Sequence, residues 1–197
     1  MWACLSQLGD SRWLLPLSLI LLLAGPKASA GLRRRWAIAL SIAAAITLAS
    51  KLAYLGWGLG WTRIDFTGFS GHATISAAIY PVVFHLAIHG RTRAPLAWAA
   101  AGAALAAAIG YSRLPLHAHS ASEVVSGWVL GCAASAYALS ARPASFTTPM
   151  RTLALAACLG LLMPLLMPTL RTHDLVTRLA TTLSGRDSVY GRQHLSR

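Results

Sequence analysis

Residues 94–124 read APLAWAAAGAALAAAIGYSRLPLHAHSASEV, and the change of character in the middle of this stretch sets the reading of the whole chain. Residues 94–111 are uncharged and built from Ala, Gly, Leu, Ile and aromatic residues. Their length suits a membrane-spanning helix, which needs about 17–25 residues. Their small side chains permit close helix approach, so the span is expected inside a helical bundle. Polarity then returns at once, with Arg113, His117, His119 and Glu123 in a chain of which only 11% is charged.

Working outward, the composition supports the membrane reading. The 197 residues are 56% hydrophobic with a mean hydropathy of +0.57, and 17 Lys+Arg face 5 Asp+Glu for a formal charge of +12. The arginines sit in short runs between long apolar stretches, the pattern of residues that face anionic headgroups and set topology; nucleic acid is therefore not an expected partner. Cys4, Cys132 and Cys158 lie far apart and form no CxxC; the last two sit in Ala/Leu/Gly-rich segments where free Cys behaves as a small apolar residue, and the three carry no redox reading.

Six apolar segments emerge, at about 13–29, 36–57, 73–89, 94–111, 124–141 and 150–170. The expected fold is an all-α integral membrane protein, a bundle of about six transmembrane helices forming one domain over 1–170, followed by a polar basic tail, 171–197. Pro164 and Pro168 predict a kink in the last span. Segment 13–29 ends in Ala28-Ser29-Ala30, which resembles a signal-peptidase site. It lacks a clearly positive leading region, and cleavage would leave Arg33, Arg34 and Arg35 on the translocated side, so a retained short span is expected.

Lys27 and Arg33–Arg35 fall in the first loop, Arg91 and Arg93 in the third, and Arg142 and Arg151 around the fifth, against only Arg63 and Arg113 in the second and fourth. The second and fourth loops are accordingly expected to face outward, towards the periplasm of a bacterial inner membrane. Trp57 and Trp61 suit an aromatic belt at that face, and His85 and His89 suit the opposite interface. The arginine-bearing tail runs against this charge rule, because an even number of spans puts it outside. It reads as a disordered or interfacial segment with no chemistry of its own.

The two outward loops concentrate phosphate-handling residue types. Ser70-Gly71-His72 places a hydroxyl, a glycine that lets backbone approach a ligand, and an imidazole just before a helix whose first N–H groups favour an anion. Arg113 offers a planar fork for an oxyanion. His119 and Glu123 stand four apart at a helix start, so the carboxylate can hold one ring nitrogen and leave the other free to attack, while His72 can protonate a leaving oxygen.

With these residues in view, the chain resembles the type 2 phosphatidic acid phosphatase superfamily of membrane lipid phosphatases, whose motifs are K-x6-R-P, P-S-G-H and S-R-x5-H-x3-D. The third appears as Ser112-Arg113, His119 and Glu123, with Glu for Asp. The second appears as Ser70-Gly71-His72, with Phe69 for Pro. The first keeps Lys51 but has Gly58-Leu59 where Arg-Pro is expected. The resemblance covers about 51–123. It implies His119 as a nucleophile forming a phosphohistidine, Glu123 as its orienting carboxylate, and His72 as general acid. Arg113, Lys51, Ser70 and Gly71 would be phosphate ligands, with Arg63 a candidate for the missing cation. It implies a lipid phosphate monoester or diphosphate as substrate, and neither metal nor other cofactor. Membrane lipids are the remaining expected partners, and the oligomeric state is left open.

Simpler readings compete. Ser120-x-x-Glu123 is a capping box that would use the same carboxylate, and Ser70 could be a plain helix cap. Lys51 could snorkel to the interface. His72, His117 and His119 could form a zinc-like set, although Arg113 beside them disfavours a cation. At the level of function, the altered first motif leaves room for a non-catalytic protein that binds a lipid headgroup or a partner. A small transporter would need more polar or broken helices than Lys51 provides.

Overall fold

A computed structural model describes residues 1–141, 145–166 and 172–194. Arg142, Pro168 and the residue that opens the tail, Arg171, lie outside them. Among the described residues the secondary structure is helical, with a single isolated β-bridge between Trp61 and Phe66. The chain runs through α1 (Trp2–Gln7), α2 (Ser11–Ala24), α3 (Ala30–Trp57), α4 (Gly71–Ile88), α5 (Pro95–Ser112), α6 (Ala121–Leu139), α7 (Met150–Leu166) and α8 (Thr172–Ser184).

Six of these helices, α2 to α7, stand on the six apolar segments expected from the sequence. Three stretches, Lys27–Trp57, Gly71–Ile88 and Pro95–Ser112, are long and apolar enough to cross a membrane, and α7 is a shorter apolar helix. At 1.5 Å per residue the 28 residues of α3 reach about 42 Å, more than the roughly 30 Å hydrocarbon layer of a bilayer. The six-span expectation is therefore met in helix placement, and in spanning length for three.

The centre of the bundle is α4, which packs against α2, α3, α5 and α6. Its residues from Ala73 to Val82 are buried without a break, so it is apolar all round rather than on one stripe. The expectation that 94–111 would sit inside is met on one face only. Ala99, Gly102, Ala106, Ile109 and Gly110 are buried, while Leu96, Trp98 and Tyr111 are exposed. Small residues bring α5 close to α4, but α6 covers the other flank of α4 and leaves the rest of α5 facing outward.

The α4–α6 seam depends on the absence of side chains. A Cβ built at Gly131 would lie 2.3 Å from the Thr74 carbonyl oxygen, and one at Gly127 2.9 Å from the Ser70 carbonyl oxygen. Backbone cannot yield as a flexible side chain would, so the two glycines four residues apart fix how near α6 comes to α4. Indole N–H groups tie further pairs: Trp36 donates to the Ala78 carbonyl at 2.9 Å and Trp128 to the Ala103 carbonyl at 3.1 Å.

Arg33, Arg35 and Arg91, from the first and third connections, lie at the end of the bundle away from Ser70 and His119. Arg33 donates to the Leu22 and Pro26 carbonyls at the C-terminus of α2, where positive charge suits the helix dipole. Arg35 donates to Ser140 Oγ, and Arg91 to the Thr148 carbonyl. His89 stacks on Phe146 at the same end.

Of the two readings of the tail, disordered or interfacial, the helix α8 departs from the first. Helix α8 packs on α3 through Val176 and Ala180, close to Gly56, and the chain beyond it stays at the end of the bundle where Tyr190 meets Gly58 and Arg192 meets Glu123. The sequence-level signal was too polar to reveal this, because only two of its apolar side chains are buried.

Gly131→Ala is expected to destabilise the fold by about 1–3 kcal/mol, the usual cost of overpacking a close contact. Thermal unfolding in detergent measures it; a melting temperature equal to that of the wild type would show the α4–α6 seam to be slack.

Candidate active site

Four segments converge at one end of the bundle: the end of α3, the loop into α4, the loop between α5 and α6, and the chain after α8. Their meeting point is the Glu123 carboxylate, which is fully buried. A buried carboxylate must be paired and hydrogen-bonded to remain charged. One oxygen, Oε1, accepts from the Thr67 backbone N–H at 2.7 Å and from the Thr67 hydroxyl. The other, Oε2, pairs with His119 Nδ1 at 2.6 Å and accepts from the Ser120 N–H at 3.2 Å and from Arg192 Nη2 at 2.8 Å.

This answers the competition between capping and orientation. The capping box is present, yet its two bonds are the long ones, 3.2 Å at the Ser120 N–H and 3.4 Å from the Glu123 N–H to Ser120 Oγ. A single carboxylate serves the cap and the imidazole together. Burial alone would raise the Glu123 pKa; the hydrogen bonds from His119 and Thr67 outweigh it and hold the group at about 2. Glu123 is thus ionised throughout the range in which proteins work.

His119 responds in the other direction. Burial pushes its imidazole below the ordinary value, the bond to Glu123 pulls it back, and the positive charges of Lys51 and Arg113 push it down again. On balance burial and the neighbouring cations win, and the ring is held below its ordinary pKa, which favours the neutral form. Nδ1 faces the carboxylate, and among the described residues Nε2 has no hydrogen-bond partner.

The expected anion-binding groups lie around this pair. Lys51 Nζ reaches the N-terminus of α4, where a Cβ added to Gly71 would meet it at 3.7 Å. Its charge is felt at Glu123, His119 and His72, which argues against a lysine that merely snorkels to the surface. Ser70 precedes α4 without capping it. Its N–H donates to the Glu123 carbonyl at 3.1 Å, while its hydroxyl is buried with no partner among the described residues. A buried donor left unpaired at a helix N-terminus, beside an ammonium group, is the arrangement an anion completes.

Arg113 caps the C-terminus of α5 and reaches back to the N-terminal segment, where Nη1 donates to Ser6 Oγ; its Nε is buried and unpartnered. His72 stands on the first turn of α4 against Gly9, whose added Cβ would fall 3.1 Å from His72 Cδ2. Asp10 exerts its charge on both His72 and Arg113. Helix α1 thus roofs the site, with the Trp2 ring edge-on to Tyr111 and the Tyr80 hydroxyl donating to the Leu8 carbonyl.

One expected residue stands apart. Arg63 lies in the exposed 3-10 turn Thr62–Ile64 and makes no hydrogen bond or ion pair among the described residues, so it is not brought to Glu123 or His119. His117, which the phosphatase reading gives no role, is exposed at a left-handed backbone position, φ 52°. Among the described residues no three His, Cys, Asp or Glu side chains gather as a metal-ligand set. Sequence reasoning missed Thr67, Ser6, Asp10 and Arg192; none lies in a motif, and each arrives by folding from a distant segment.

A carboxylate–histidine pair at one end of a helical bundle, with a lysine, an arginine and a helix N-terminus near it, is a phosphatase-like arrangement. Comparison with known proteins agrees: residues 43–147 match the PAP2 superfamily, and the chain belongs to that family, whose members are generally phosphatases. It is also similar to the "Uncharacterized 22.5 kDa protein in cps region" of Klebsiella pneumoniae, with 47% identity over 139 residues, covering 68% of this chain and 66% of that one. This chain thus spans just under two thirds of that relative's length. No solved structure matches.

In an NMR titration of detergent-solubilised protein, the His119 midpoint is expected below that of an ordinary exposed histidine. Glu123→Gln should lower it further, because the carboxylate favours the protonated ring. A midpoint unmoved by Glu123→Gln would break the coupling described here.

Proposed function

We propose that this protein is a membrane phosphatase that hydrolyses a lipid phosphate monoester or diphosphate through a phosphohistidine on His119. The observation that carries the proposal is the His119 ring held at Nδ1 by the buried Glu123 carboxylate, with Nε2 unbonded among the described residues, beside Lys51, Arg113 and the N-terminus of α4.

The residues assign themselves to steps. Lys51, Arg113, the Ser70 hydroxyl and the first N–H groups of α4 bind the non-bridging phosphoryl oxygens and neutralise charge as the transition state forms. His119 Nε2 attacks phosphorus, a P–N bond forms, and the P–O bond to the leaving group breaks. The imidazolium that results is stabilised by Glu123 through Nδ1. His72 gives its proton to the departing oxygen, and a bound phosphate dianion beside it favours that protonated form. Water then attacks the phosphohistidine, His72 takes up the water's proton, the P–N bond breaks, and inorganic phosphate leaves.

The preference for a lipid rests on an apolar cavity of about 220 Å³ at the end of α5 and the start of α6, lined by Tyr111, Leu114, Ala121, Val125 and Trp128 among others. Leu114 follows Arg113, and Ala121 comes two residues after His119, so an acyl or prenyl chain in this groove would bring its phosphate to the site. In this reading the site faces outward from a bacterial inner membrane.

Purified protein should release inorganic phosphate from lipid phosphates with EDTA present and be inhibited by vanadate. His119→Ala should lower the rate by at least about 1000-fold. Full activity in that variant would overturn the mechanism, and tight phosphate-analogue binding without turnover on any lipid would instead favour a non-catalytic binder. The rate should fall as pH drops through the His119 midpoint, because protonation removes the attacking lone pair.

Val125→Trp, which fills the groove, should raise KM for a long-chain lipid phosphate while leaving hydrolysis of a short water-soluble phosphate ester within about twofold. Equal effects on the two substrates would remove the groove from the account.

A further inference from the structure

Position 58 carries glycine where the family's first motif carries arginine, and the structure shows what stands against it. Gly58 ends α3 in a left-handed conformation, φ 71°. A Cβ there would lie 3.1 Å from the Tyr190 ring. The segment around Tyr190 is fastened to the end of α3: the Tyr190 N–H donates to the Leu55 carbonyl at 2.9 Å, and the Tyr54 hydroxyl to the Gly191 carbonyl at 2.8 Å. The Arg186 guanidinium lies 4.4 Å over the Tyr190 ring. Two residues beyond Tyr190, Arg192 divides its fork between Asp65 Oδ2 at 2.5 Å and Glu123 Oε2 at 2.8 Å.

We infer that the C-terminal segment completes the active site, with Arg192 as a positioning residue that supplies, from the far end of the chain, a cation in place of the arginine missing at position 58. Arg192 acts through Glu123. It binds the same carboxylate oxygen that holds His119 Nδ1, so it limits the rotation of the carboxylate and keeps the imidazole aimed. Asp65 fixes the other arm of the fork and keeps the guanidinium from swinging away. The glycine at 58 is what admits this arrangement, since any side chain there would press on Tyr190.

The charged and titratable groups facing His119 are Glu123 on α6, Lys51 on α3, Arg113 after α5 and His72 on α4, with Arg192 the one contributed by the tail. Removing Arg192 takes away a positive charge near the ring, so the His119 midpoint should move to higher pH. A purely structural role would not do this.

The test compares full-length wild type, Arg192→Ala, Arg192→Lys, and Arg178→Ala as a control of equal charge change on the exposed face of α8. The His119 NMR titration and kcat and KM for phosphate release are measured on each. Arg192→Ala should lower kcat by about 10- to 100-fold with KM within about threefold, and raise the His119 midpoint. Arg192→Lys should fall between, added guanidinium should restore part of the rate to Arg192→Ala, and Arg178→Ala should match wild type. Wild-type kcat and titration in Arg192→Ala would overturn the inference. So would a loss of rate that follows a loss of melting temperature, with no shift in titration and no guanidinium rescue. The kinetic arm rests on the phosphatase reading and the titration does not: if wild type releases no phosphate, that reading fails, while the His119 midpoint in Arg192→Ala still decides the role of Arg192.

Discussion

The buried Glu123 carboxylate is the point on which the rest of the site depends. Removing an ionised carboxylate from water costs several kcal/mol even after the protein relaxes around it. That cost is offset here by donors from separate segments: Thr67 before α4, His119 and Ser120 before α6, and Arg192 after α8. Each donor lost would leave charge uncompensated in a place water does not reach. The three segments are therefore held together by the same requirement that orients the imidazole. The Ser70 N–H adds a backbone link by donating to the Glu123 carbonyl, which fixes the start of α4 to the start of α6.

That link is continued down the bundle by the glycine seam. Gly127 and Gly131 lie one and two turns below Glu123, against Ser70 and Thr74. The packing that lets α6 lie on α4 thus also sets the distance between the α4 N-terminus, with Ser70, Gly71 and His72, and the His119–Glu123 pair. Within an apolar solvent, helix association depends on close packing rather than on the hydrophobic effect. Site geometry and membrane packing here rely on the same contacts.

The two ends of the bundle use arginine differently. At one end Arg33, Arg35 and Arg91 donate to helix carbonyls and a hydroxyl, so the residues that give the topological charge bias also close helix ends. At the other end Arg192 pairs with the buried Glu123 carboxylate, Lys51 and Arg113 place their charges near His119, and the N-terminal segment covers them through Ser6 and Gly9. An excess of positive charge there is what a dianionic phosphate group would balance.

Local pattern was enough for much of this protein. Apolar runs bounded by charges located the helices, because a span must satisfy its own backbone hydrogen bonds and needs a minimum length to do so. The short spacing of His119 and Glu123 across a helix start was enough to pair them, because the capping turn at Ser120 folds the chain back over the first turn of α6. What sequence could not supply was every partner that comes from far along the chain. Thr67 is 56 residues from Glu123 and Arg192 is 69. The choice between Arg63 and Arg192 illustrates the limit: Arg63 is five residues from the altered motif position yet stays exposed in its own turn, whereas Arg192 arrives because α8 packs on α3 and Tyr190 seats against Gly58. Proximity in sequence bounds only what a short segment can reach. The surroundings of a buried charge are decided by which segments the whole fold brings to it.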